Sequence, residues 1–178
     1  DANTTGDNNT ALGYDALTSN TTADNNTALG TKALDANTTG ANNTAVGYLA
    51  LGANTTGQYN VAIGNHALDA NTTADSNYAL GYNALTANTT GGANIAIGRN
   101  TLQSNTTAND NTAVGHEAGN NITTGNNNLM LGRDAGSSSS PSGQITTGSN
   151  AVCLGNNSIG DLFCADTSIS SSDSRDKT

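Results

Sequence analysis

A glycine recurs every seventeen residues through most of the chain, at Gly13, Gly30, Gly47, Gly64, Gly81, Gly98, Gly115 and Gly132. Each closes a phrase of one form, such as N-T-A-L-G, N-V-A-I-G or N-I-A-I-G. A fixed short period makes each repeat one structural unit, too small to bury its own apolar face. The units therefore stack on one another, and the chain builds an elongated rod. Function is then read from the surface and ends of the rod rather than from a pocket.

Composition alone points elsewhere. Only 34% of the residues are hydrophobic, and Asn, Thr, Gly, Ala and Ser dominate, as in many disordered linkers. A linker has no reason to keep one phase over eight units, so the register decides against it. The net charge of -9 and pI near 4.1 exclude a nucleic-acid stripe, which needs clustered cations. No run approaches the ~18 apolar residues of a membrane span. The chain begins at Asp1 with no signal peptide, which reads as a fragment or processed product.

Aligned on the glycines, the columns are regular. The residue before Gly is aliphatic (Leu12, Leu29, Val46, Ile63, Leu80, Ile97, Val114, Leu131). The residue before that is small (Ala11 through Ala113), then Met130. A Leu column lies four after Gly (Leu17 through Leu102), until Gly119 and Gly136 replace it. N-T-T begins at Asn20, Asn37, Asn54, Asn71, Asn88 and Asn105, and Ile122 then takes the Asn position. The phrase before Gly alternates with period two and predicts a short strand, with Gly turning the corner. A second extended segment around A-L and a turn at N-T-T complete one coil. Helix is excluded because Gly, Asn and Thr punctuate every unit.

The expected fold is all-β, a parallel β-roll or solenoid of about nine coils. The aliphatic column before Gly is expected to be buried, with Asn and Thr forming side-chain ladders. So thin a core predicts association, and the Ala column offers a second flat face for parallel packing as a homotrimer. The regular shaft spans 1–136. An irregular unit with an inserted S-S-S-S-P-S-G-Q loop, holding Pro141, spans 137–160, and a tail spans 161–178.

The phrase N-V-A-I-G-N-H-A-L resembles the head repeats of trimeric autotransporter adhesins, and also repeats of phage tail fibres. The adhesin resemblance implies a left-handed parallel roll packed as trimers, although the seventeen-residue period exceeds the usual adhesin one. The tail S-D-S-R-D-K resembles the start of the endosialidase-type intramolecular chaperone that ends many tail fibres. That resemblance implies that Ser172 and Lys177 are a self-cleaving dyad, inert without the downstream chaperone that would lower the Lys pKa.

No other catalytic, cofactor or metal site is expected. His66 and His116 lie in variable columns just after their glycines and read as surface residues. Asp7, Asp24 and Asp75 share a column that a calcium ladder would use, but other residues replace them elsewhere. Tyr14, Tyr48 and Tyr82 recur every second repeat, either to stack on sugars or to pack the roll's edge. Cys153 reads as an apolar filler, with pairing to Cys164 the alternative. The sequons at Asn3, Asn20 and Asn37 read as ladders before glycosylation sites.

The sequence thus points to a virion tail-fibre segment that is not an enzyme, a trimeric shaft facing a host receptor, glycan among the possible classes. One alternative is a bacterial cell-surface adhesin head. Another is an ice-binding solenoid, which needs a flat Thr face and is opposed by the adjacent Thr21 and Thr22.

Overall fold

The computed structural model describes residues 3–138, 143–156 and 158. Each phrase before a repeat glycine forms a three-residue strand: β1 (Thr10–Leu12), β2 (Thr27–Leu29), β3 (Thr44–Val46), β4 (Val61–Ile63), β5 (Tyr78–Leu80), β6 (Ile95–Ile97), β7 (Thr112–Val114), β8 (Leu129–Leu131) and β9 (Val152–Leu154). They form one parallel sheet in chain order. Pairing keeps the repeat in phase, with Thr44 against Val61, Ala45 against Ala62 and Val46 against Ile63. The protein is a β-solenoid with one strand per coil, as the period predicts, and among the described residues it has no helix. Nine strands at ~4.8 Å give a stack on the order of 40 Å long.

The strand faces the opposite way from expectation. The Ala column is inside: Ala28, Ala45, Ala62, Ala96 and Ala113 have no exposed surface. The aliphatic column is outside, with Leu29, Ile63, Leu80 and Ile97 each about two-fifths exposed at 43%, 38%, 45% and 40%. The Ala column is therefore not a free face for another chain. The reason lies across the coil, where Leu34, Leu51, Leu68, Leu85 and Leu102 fill the interior completely. Beside its two asparagines, so narrow a cross-section holds one leucine and small alanines in each Leu-bearing coil, and close packing leaves no room for a second large apolar residue.

The A-L segment is a turn, not a strand. Its leucines sit in the left-handed region, with φ of 52° at Leu34, Leu51, Leu68 and Leu85. Such a conformation costs about 1–2 kcal/mol per residue. Burying the Leu side chain contributes about 1.5–3 kcal/mol in return. Where Gly119 (φ 61°) and Gly136 (φ 73°) replace Leu, that strain is relieved and the lost volume is restored from the opposite wall. Met130 enters the Ala column there, and a Cβ on Gly136 would lie 2.6 Å from its Sδ. Cys153 continues the Ala column, buried as a filler.

The repeat glycines hold φ between 131° and 145° from Gly13 to Gly115. A Cβ at Gly64 would lie 2.5 Å from the carbonyl oxygen of Gly81 on the next coil. The corner needs glycine for its dihedral and for the stacking distance together.

Two asparagine ladders complete the interior. In the first, Asn54 Nδ2 donates to Asn37 Oδ1 at 2.9 Å, and Asn71 Nδ2 donates to Asn54 Oδ1 at 2.9 Å. In the second, the backbone N–H of Asn60 donates to Asn43 Oδ1, and that of Asn77 to Asn60 Oδ1. The ladders meet at the corner carbonyl. Gly57 O accepts from Asn54 Nδ2 of its own coil and from Asn43 Nδ2 of the coil before. Every such polar group is buried, so each bond removes a desolvation penalty of about 1–3 kcal/mol. The inserted residues before β9 leave the stack intact: Met130 still pairs with Cys153, and the Ile145 backbone N–H donates to Gly136 O. Residues 139–142, including Pro141, lie outside the described residues.

Candidate functional site

The scaffold columns fix most of each coil, so distinctive chemistry is confined to what they leave free. Among the described residues every Lys, Arg, His and Glu falls one or two places after a repeat glycine: Lys32, Arg99, Arg133, His66, His116 and Glu117. Three of the five tyrosines, Tyr14, Tyr48 and Tyr82, fall there too. These positions form one outward ridge along the corner that follows the strand. The second position has positive φ throughout, from Asp15 (55°) through His66 (58°) to Asp134 (57°).

The ridge has two parts. In its middle, the His66 ring makes edge contacts with Tyr48 of the coil before and Tyr82 of the coil after, with centroids 5.2 and 6.5 Å apart. His66 Nδ1 lies 2.9 Å from Asp69 Oδ2, which fixes the ring's orientation. Asn65 Oδ1 accepts the Tyr48 backbone N–H at 3.1 Å. Farther along, Arg99 Nε donates to His116 Nε2 at 3.0 Å, and Arg133 Nε lies 3.2 Å from Asp134 Oδ2. His116, Glu117 and Asp134 bring ligand-type atoms within 4.8 Å of one another. The Arg99 guanidinium stands 3.9 Å from Glu117 Oε1 and 2.6 Å from His116 Nε2, so a cation of the protein's own already serves this cluster.

A second surface is the outer sheet face. The aliphatic row runs its full length, beside a row holding Val61, Tyr78 and Ile95. Between the rows lies an apolar groove of about 190 Å³ lined by Val61, Ile63, Tyr78, Leu80 and Ile97. Exposed large hydrophobics in an unbroken row, rather than scattered singly, mark an interaction surface.

Other predicted positions have structural roles. Asp24 Oδ1 accepts the Asp7 backbone N–H and Asp75 Oδ1 accepts that of Gln58, both at 2.7 Å. Asn109 Oδ1 does the same for Gly92. The column thus serves as an inter-coil acceptor that Asn fills as well as Asp. The adjacent threonines diverge, as their alternation predicts. Thr38 donates its hydroxyl to Thr55 O, while Thr39 is exposed. Ser172, Lys177 and Cys164 lie outside the described residues.

Sequence reasoning placed both histidines and three tyrosines in variable surface columns but did not join them into one ridge. The missing signal was the joint confinement of cations, His and Glu to two columns. Compared with family models, curated proteins and solved structures, the chain matches none of them. Among the described residues no helix is long and apolar enough to cross a membrane.

Proposed function

We propose that this chain is a structural and adhesive segment of a phage tail fibre, a rigid homotrimeric shaft that presents a receptor-facing surface outside the cell. The observation that carries this reading is the aliphatic row on the outer sheet face, aligned along the shaft from Leu12 to Leu154. Parallel copies packed on this face bury the row from end to end, whereas a lone shaft leaves it in water. The backbone ladder and two asparagine ladders joining successive coils supply the stiffness that a spacer needs.

In this reading Ser172 and Lys177 mark the junction with a chaperone domain released once the fibre has assembled. Such a device suits a repeat in which a slip of one full unit restores nearly every contact. The only reaction is then a single self-cleavage. Ser172 Oγ attacks the carbonyl carbon of the adjoining peptide while Lys177 takes its proton. The peptide C–N bond breaks as that proton passes to the leaving amine, and water hydrolyses the resulting ester to a carboxylate and the free Ser hydroxyl.

Sedimentation and light scattering of the purified segment test the assembly. A trimer that Ile63→Asp dissociates is the expected result, and a stable monomer at micromolar concentration overturns it. A longer chain carrying the downstream sequence should cleave near Ser172, and normal cleavage after Ser172→Ala would remove the dyad. A bacterial trimeric adhesin head shares the same shaft, and a membrane-anchor barrel preceded by heptads, downstream of Thr178, would select it.

A further inference from the structure

The first column of the ridge carries a second period. Read along the shaft it runs Tyr14, Thr31, Tyr48, Asn65, Tyr82, Arg99, His116, Arg133. Every second coil presents an aromatic ring, and every intervening coil presents a hydrogen-bonding side chain without one. The scaffold does not require this. Its own period is one coil, and stacked β arrays accept like side chains, aromatics included, on successive strands. The alternation therefore belongs to the surface.

The rings are available. Tyr14, Tyr48 and Tyr82 are 73%, 44% and 50% exposed, and each stands past the glycine corner, two residues beyond the outer aliphatic row. His66 stands at 82° to the Tyr48 ring and 86° to the Tyr82 ring, bracing two tyrosines that lie two coils apart. Two coils separate equivalent positions by roughly 9.6 Å along the axis.

We infer that this ridge binds an extended, neutral β-1,4-linked hexopyranose chain lying parallel to the shaft. In such a polymer successive sugars turn over, so every second ring shows the same face to the same side. The repeat of that face is two sugars long, commensurate with the two-coil spacing of the tyrosines. The apolar face of a pyranose ring stacks on a tyrosine, whose amphipathic ring suits a surface both apolar and wet. Thr31 and Asn65 then meet the equatorial hydroxyls of the intervening sugars, where hydroxyl and amide groups supply donors and acceptors. The ionic cluster at the far end is balanced by Glu117 and Asp134, which favours a neutral polymer over an acidic one. His66 is a positioning residue here, acting through the two tyrosines.

This rests on the receptor-facing part of the proposed function, and the test separates the two. Calorimetric titration of the intact chain with cellohexaose, chitohexaose and mannohexaose should detect binding of at least one. Tyr48→Ala combined with Tyr82→Ala should weaken it at least tenfold, with circular dichroism unchanged. Tyr59→Ala, which removes an exposed tyrosine elsewhere on the coil, should leave it within twofold. Asn65→Arg keeps every ring but fills the gap between two platforms, and should weaken binding at least fivefold. The inference is overturned if none of the three hexaoses binds at millimolar concentration, if only hexagalacturonate binds, if Tyr59→Ala matches the double variant, or if Asn65→Arg binds like the parent. Light scattering on the same samples keeps the readings apart: a trimer without sugar binding removes this inference alone, and a monomer that binds removes the trimeric shaft alone.

Discussion

Asn105 ends the inner asparagine ladder because the next coil presents Ile122 in its place. Asn105 Nδ2 donates back to Asn88 Oδ1 at 3.0 Å, but its own Oδ1 is buried and accepts nothing. The Ile122 side chain has no N–H to offer and turns to the hydrophobic core instead. The ladder is thus directional, and its last member makes one bond fewer than an interior one.

That asymmetry sets the first prediction. Asn71→Ala orphans Asn54 Oδ1 and takes an acceptor from Asn88, whereas Asn105→Ala orphans Asn88 Oδ1 alone. The Asn71 variant should be less stable than the Asn105 variant by about 1 kcal/mol. Thermal unfolding followed by circular dichroism measures the order, and equal or reversed midpoints would contradict the ladder.

Strand orientation gives a second test. Leu68→Asp places a carboxylate in the fully buried column, which costs several kcal/mol, about 3 or more, and should melt the neighbouring coils. Ile63→Asp changes an outward side chain and should leave far-ultraviolet dichroism intact while shifting mass toward monomer in sedimentation. Unfolding by Ile63→Asp with tolerance of Leu68→Asp would reverse the inside and outside of the coil.

Gly64→Ala probes the stacking corner. Its Cβ would sit 2.5 Å from Gly81 O in a backbone with φ of 134°. The strain and overpacking together should cost about 2–4 kcal/mol. Chemical denaturation reads the loss, and a variant as stable as the parent would show that the corner relaxes freely.

Met130 and Gly136 form a compensating pair. Met130→Ala alone should leave a cavity costing about 2–3 kcal/mol, and Gly136→Leu alone should clash with the Met130 thioether. The double variant restores the pairing found in earlier coils, so the cycle should show a favourable coupling above about 1 kcal/mol. Additive single effects would mean that the two walls do not touch.

The sequons offer a check without mutation. Asn37, Asn54 and Asn71 are fully buried with their amide nitrogens donating to corner carbonyls. Folded protein from a glycosylating host should carry no glycan at these three sites by peptide mass mapping. A glycan on Asn54 in soluble, folded material would be incompatible with the ladder.

The ridge was half legible in the chain. The two-repeat spacing of Tyr14, Tyr48 and Tyr82 is visible in the sequence, but the bracing of Tyr48 and Tyr82 by His66 is not. That contact joins three different coils through a corner whose positive φ no local pattern announces. The His66–Asp69 contact was equally hidden: Asp35 fills the same column in another coil, where the residue three before it is Lys32 and not a histidine.

The sequence by itself determined the period, the parallel in-phase pairing of coils, the glycine corner and the asparagine ladders. Each of these repeats at a fixed interval, and stacking turns identity at one interval into contact between neighbours. The tertiary structure alone decided which face of the strand is inside. The phrase x-A-φ is apolar on both faces, so alternation divides Ala62 from Ile63 without saying which one is buried. The width of the coil chooses. With Leu68 already filling the interior from the opposite turn, only a methyl group fits against it, and the larger Ile63 is left on the outer surface.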